Sequence, residues 1–142
     1  MKLMVNFLFA GMLFAAANST SAQANIEFNK MVHDYGTIEQ SSDGSNGICE
    51  FTLKNTGNEA LIIADARGSC SCTVPDWPKD PIAPGASAVI RVKYDTRRVG
   101  PINKQVTITS NGSAEPVILR IKGTVTASRA PEKPSGGAPS AN

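Results

Sequence analysis

Four stretches of this chain alternate apolar and polar residues with a period of two, and that pattern constrains the fold more than any other feature. In Ile48–Asn55 (ICEFTLKN), Cys49, Phe51 and Leu53 share one face while Glu50, Thr52 and Lys54 share the other. Ala88, Ile90, Val92 and Tyr94 alternate with Val89, Arg91 and Lys93. Val106 and Ile108 oppose Gln105, Thr107 and Thr109, and Val117, Leu119 and Ile121 oppose Ile118, Arg120 and Lys122. Successive side chains of a strand point to opposite faces, so each stretch is a strand with one apolar side. Each apolar side needs a facing layer to exclude water, which predicts an all-β sandwich.

The punctuation agrees. Asn55-Thr56-Gly57-Asn58 ends one strand and Asn111-Gly112-Ser113 joins the last two long ones. In Ile82-Ala83-Pro84-Gly85, Pro84 pre-sets its own φ and Gly85 tolerates positive φ, as a type II turn requires. Shorter candidates are Ile26–Phe28 and Val32–Tyr35 at the start, and Leu61–Ala66. The expectation is an immunoglobulin-like sandwich of about seven antiparallel strands.

The ends read differently. Lys2, an apolar run over Leu3–Ala17 and the small-residue site Ala22-Gln23-Ala24 have the layout of a cleaved export signal. That predicts cleavage after Ala24, with Ala22 as the second choice. The run is too short to span a bilayer, and no cysteine lies nearby to carry a lipid anchor. The mature chain is expected to be periplasmic or secreted, without membrane insertion. Past Thr126, SRAPEKPSGGAPSAN has no apolar periodicity and reads as a disordered tail. The division is therefore 1–24 leader, 25–126 domain and 127–142 tail.

Charge excludes one class of partner. The formal charge is +2, falling to +1 without Lys2, the only charged residue of the leader. That near-neutral balance argues against nucleic acid as a partner. His33-Asp34 invites a general-base reading, but no nucleophile elbow accompanies it. Asp34 and Thr37 instead suit a turn around Gly36. The carboxylates are scattered, with no calcium-loop spacing. No catalytic residue and no cofactor are expected.

Three cysteines remain, Cys49, Cys70 and Cys72. An odd number in an exported chain leaves at least one unpaired internally. Cys49 shares the apolar face of its strand and is expected in the core. Cys70-Ser71-Cys72 has several readings. A direct disulfide needs a turn, because residues two apart in a strand lie near the upper limit for bridging. A bond from either to Cys49 is a second possibility, favoured like the first by an oxidising compartment. A metal site would need further ligands, for which His33, Asp34 or Asp76 are available, yet no spacing demands them. Thiol redox chemistry or an intermolecular disulfide is a fourth, with Arg67 near enough in sequence to favour a thiolate. A disulfide ranks first, a reactive thiol pair second and metal third. Trp77, the only tryptophan, either caps the core beside this loop or anchors a partner; the cap is preferred.

The ordered set of motifs resembles one known family. His33-Asp34-Tyr35-Gly36-Thr37-Ile38 looks like the H-D-F-G-T-I opening of the DUF1573 family, with Tyr35 for Phe. Phe51–Gly57 resembles its F-x-F-x-N-T-G segment, and Ser69–Thr73 its S-C-G-C-T, with Ser71 in place of Gly. Ile82–Gly85, Tyr94–Thr96, Gly100-Pro101 and Ser110-Asn111 follow in order. The resemblance spans about Phe28 to Val125. It implies an immunoglobulin-like fold, related to ASPM/SPD-2/Hydin-type domains, and an exported bacterial protein, but no activity. Two functions follow as expectations. The first is a non-enzymatic module binding an unknown protein or envelope component. The alternative is thiol redox or metal handling through Cys70 and Cys72.

Overall fold

The computed structural model describes residues 21–129. The body of the leader and most of the Pro-rich tail lie outside the described residues. Eight strands follow in chain order: β1 (Ile26–Phe28), β2 (Val32–Glu39), β3 (Ile48–Asn55), β4 (Ile63–Gly68), β5 (Thr73–Asp76), β6 (Ser87–Tyr94), β7 (Gly100–Ser110) and β8 (Val117–Thr126). They form two four-stranded sheets, ordered β1-β3-β6-β5 and β2-β8-β7-β4. The expected sandwich is present.

The alternating faces meet between the sheets. Cys49, Phe51, Leu53, Ile90, Val92 and Tyr94 come from the first sheet; Val106, Ile108, Leu119, Ile121 and Val125 come from the second. Fully burying a side chain of this kind contributes about 1.5–3 kcal/mol, so this layer is the principal driving force for the fold. The turn at Pro84-Gly85 takes the expected form. Gly85 has φ 77°, and Ala86 N–H donates to the Ala83 carbonyl at 3.0 Å.

Two features depart from the sequence reading. β2 runs parallel to β8, within an otherwise antiparallel set. The chain crosses from the first sheet to the second after β1 and enters β2 already running in the direction of β8, so no hairpin joins that pair. β5 is an additional strand where the sequence reads as turn and loop. It lies at the outer edge of its sheet, bonded only to β6, so Pro75 can sit in it although proline has no N–H to donate.

Buried polar groups tie the connections down. Asn55 is 0% exposed, and its amide donates to the carbonyls of Glu59 (2.7 Å) and Ile82 (3.0 Å) while its oxygen accepts from Gly57 N–H (3.0 Å). Thr96, also buried, donates to Asn46 Oδ1 at 2.7 Å. Asn111 Oδ1 accepts from Ile62 N–H, and its amide donates to the Ala60 carbonyl.

Candidate functional site

The segment joining β4 to β5 carries the Cys-Ser-Cys motif from one sheet to the other. Ser69 exchanges two hydrogen bonds with Gln105 of β7, through its backbone N–H (2.8 Å) and its hydroxyl (3.1 Å). The chain then turns. Thr73 N–H donates to the Cys70 carbonyl at 3.2 Å, and Asp95 N–H to the Cys72 carbonyl at 2.8 Å. This turn draws the Cα atoms of Cys70 and Cys72 to 5.2 Å, inside the bridging range, and the two residues form a disulfide. Among the described residues no non-glycine has positive φ, so Ser71 closes the turn in ordinary backbone geometry. Where the family motif has Gly, Ser is accommodated.

The crossing is packed tightly. A Cβ at Gly68 would collide with the Thr73 carbonyl, so β4 and β5 approach more closely than any larger residue there permits. Thr73 is buried, with its hydroxyl 3.6 Å from Cys70 Sγ and 3.8 Å from Cys72 Sγ.

Cys72 also lines a groove of about 380 Å³, together with Asp43, Ser71, Val74, Lys93, Asp95 and Arg97. Its carboxylates are stabilised as anions. The Ser41 hydroxyl and the Ser45 N–H hold Asp43 at about 2. The Arg97 guanidinium, bonded at 2.8 and 2.9 Å, holds Asp95 at about 2 and is itself pushed up. Chemically the site presents a disulfide beside fixed charges of both signs. Cys70 is the less buried residue of the pair, the side from which a thiolate would attack. The Asp43 side of the groove was not singled out from sequence; its signal is the turn-forming run Ser41-Ser42-Asp43-Gly44-Ser45-Asn46.

The remaining candidates are placed elsewhere. Cys49 is a free thiol buried on β3, with β6 between it and β5. Burial pushes this thiol up, and burial also pushes up the neighbouring Tyr35 phenol, which donates to the Gly47 carbonyl at 2.7 Å. Arg67 is exposed and pairs with Asp65 at 2.7 Å. His33 lies on β2 with Nδ1 3.0 Å from Lys30 Nζ and its ring edge-on to Tyr35. Asp34 accepts from Gly36 N–H at 2.8 Å, making a local turn at the β2 bulge. Among the described residues no group of three or more His, Cys, Asp and Glu side chains is placed to hold a metal.

Trp77 packs half-buried against the core, with Lys79 Nζ over its ring and its indole N–H without a partner. It also lines a groove of about 580 Å³ with Glu50, Pro78, Ala88, Val89 and Arg91. It therefore both covers core and borders an outward surface.

Comparison with known proteins agrees on fold. A protein of unknown function from Porphyromonas gingivalis W83 aligns at 19% identity and TM-score 0.62, over 78% of this chain and 51% of that one. This chain thus spans about half the length of that protein. The secreted serine protease VesC from Vibrio cholerae aligns at 14% identity and TM-score 0.53, over 71% of this chain and 23% of the protease. The ASH/PapD-like domain 7 of human CEP192 aligns at 11% identity and TM-score 0.54, over 90% of this chain and 99% of the domain. No curated protein matches. The family described as "Protein of unknown function (DUF1573)" matches residues 26–125, from the start of β1 to within one residue of the end of β8, and the chain belongs to that family.

Proposed function

We propose that this chain is an exported, non-enzymatic immunoglobulin-like module of the cell envelope that binds another protein or envelope component. The leader-like N-terminus and a disulfide, which persists in oxidising compartments, support export. The observation that carries binding is the outer face of the first sheet. Val74 is 58% exposed, Ile48 44% and Val89 42%, each at a position where alternation calls for a polar residue. Ile48 and Val74 flank Lys93 on neighbouring strands, and Val89 borders the Trp77 groove. The three share the outer side of one sheet, Ile48 and Val74 on either side of Lys93 and Val89 four residues away along β6, where they offer apolar contact area to a partner.

The test is cross-linking in the envelope with the tagged chain and with a Val74→Lys, Val89→Lys variant. A discrete adduct with the wild type that disappears in the folded variant is the expected result. Equal adducts from both proteins, or none from either, would overturn this reading.

A second reading, thiol redox, is favoured by Cys72 lining a groove with Lys93 and Arg97. A thiolate bonding to Cys70 Sγ would break the Cys70–Cys72 bond and release Cys72 as the thiolate into the groove that Lys93 and Arg97 help to line. Formation of a mixed disulfide with glutathione, lost in a folded Cys70→Ser, Cys72→Ser variant, is the expected outcome on that reading. Its absence from the wild type counts against it.

A further inference from the structure

We propose that the export leader is removed after Ala22, leaving Gln23 as the first residue of the mature protein and as a working part of the fold. This rests on the export reading above. Thr20-Ser21-Ala22 and Ala22-Gln23-Ala24 both present small residues at the positions a signal peptidase reads, so the sequence alone permits either cut.

The structure distinguishes the two products. Ala24 is 2% exposed and belongs to the core. Gln23 pairs with the turn after β3: its N–H donates to Asn58 Oδ1 at 2.7 Å, and its carbonyl accepts from Asn58 N–H at 3.0 Å. The Asn25 carbonyl accepts from Thr56 N–H at 3.0 Å. Gly57 is shaped by this contact, since a Cβ there would strike the Gln23 carbonyl and lie 2.6 Å from Asn25 N. Residues 23–25 thus close the end of the sandwich beside β3.

A cut after Ala24 discards the buried alanine and both bonds of Gln23. It also turns the Asn25 N–H, which donates to Asn55 Oδ1 at 3.4 Å, into a chain terminus with nothing before it to hold the turn after β3. A cut after Ala22 puts the ammonium on exposed Gln23, with Asn58 Oδ1 already placed to accept from it. The peptidase acts before the domain folds, so the fold does not direct the cut. The earlier cut gives up the Asn58 amide bond to the Ser21 carbonyl at 3.3 Å but keeps buried Ala24 and both bonds of Gln23.

The experiment is intact-mass measurement and N-terminal sequencing of the full chain, C-terminally tagged and expressed with its own leader in a diderm bacterium. The expected mass begins at Gln23, or is that mass less one ammonia, because an N-terminal glutamine amine can displace its own side-chain amide nitrogen. A chain beginning at Asn25 overturns this inference and leaves export standing. A chain retaining Met1 in the cytoplasm overturns the export reading itself. A Thr20→Lys variant supplies a second readout, since it spoils the Ala22 site and not the Ala24 site. Precursor accumulation or a shifted start is expected, and unchanged processing overturns the inference.

Discussion

The chain crosses between the sheets near both lateral edges of the sandwich, and the two crossings are built differently. Between β4 and β5 the crossing is covalent and close-packed: Gly68 lies against the Thr73 carbonyl and the Cys70–Cys72 bond closes the turn. Between β1 and β2 it runs through Asn29-Lys30-Met31 and is held by Asn29 hydrogen bonds to Thr52 and by Lys30 and His33 set against aromatic rings. The first crossing is fixed by sterics and a bond, so it responds to volume and to reductant. The second is fixed by polar and aromatic contacts that include a titratable group, so it responds to pH. Connections at opposite edges of one small domain can therefore have separate sensitivities.

The largest effect that bears on this contrast is Gly68→Ala. The new Cβ collides with backbone rather than with a flexible side chain, so β4 and β5 must separate. A loss of about 1–3 kcal/mol in denaturant unfolding is expected, as for other overpacked sites. A variant as stable as the wild type would show that the closed crossing is looser than drawn.

Next comes Cys70→Ser with Cys72→Ser. Loop-closure entropy for so short a ring gives about 1–2 kcal/mol, a small effect for a disulfide because few residues are constrained. Reductant acting on the wild type should reproduce the same loss in thermal unfolding and leave the variant unaffected. A much larger loss would mean that the bond acts on more than its own turn.

The smallest expected effect is at the other crossing. Burial, then the charge of Lys30, lowers the His33 pKa from 6.5 against the opposing pull of Asp34. The unfolded chain therefore takes up the proton first. The contribution of neutral His33 is fully present above the unfolded value and is lost as pH falls through the folded one. In chemical denaturation from about pH 7 to about pH 5 the wild type should lose more stability than His33→Gln. Parallel curves would remove the pH sensitivity assigned to this crossing.

The same contrast separates what was legible from what was not. The faces of β3, β6, β7 and β8 were readable because alternation is local: each residue's side follows from its neighbours. The Pro84-Gly85 turn was readable because both residues restrict their own dihedrals. Asn55 reads as a strand-end residue, and nothing adjacent to it announces that it is buried among groups as distant in sequence as Ile82. Trp77 was identified as a loop aromatic, but which surfaces it touches depends on β3 and β6.

By itself the sequence determined that the chain is a two-layer β-structure, which residues face inward, where several turns fall, and that one cysteine at least must stay unpaired. Tertiary structure decided how eight strands divide between two sheets, that β2 lies parallel to β8, that Thr73–Asp76 becomes an edge strand, and that Cys70 bonds Cys72 while Cys49 stays buried and free. The physical reason is range. A period of two and a proline's φ are properties of a few adjacent residues, whereas strand partners, burial of an asparagine and the approach of two sulfurs exist only once distant segments have excluded water together.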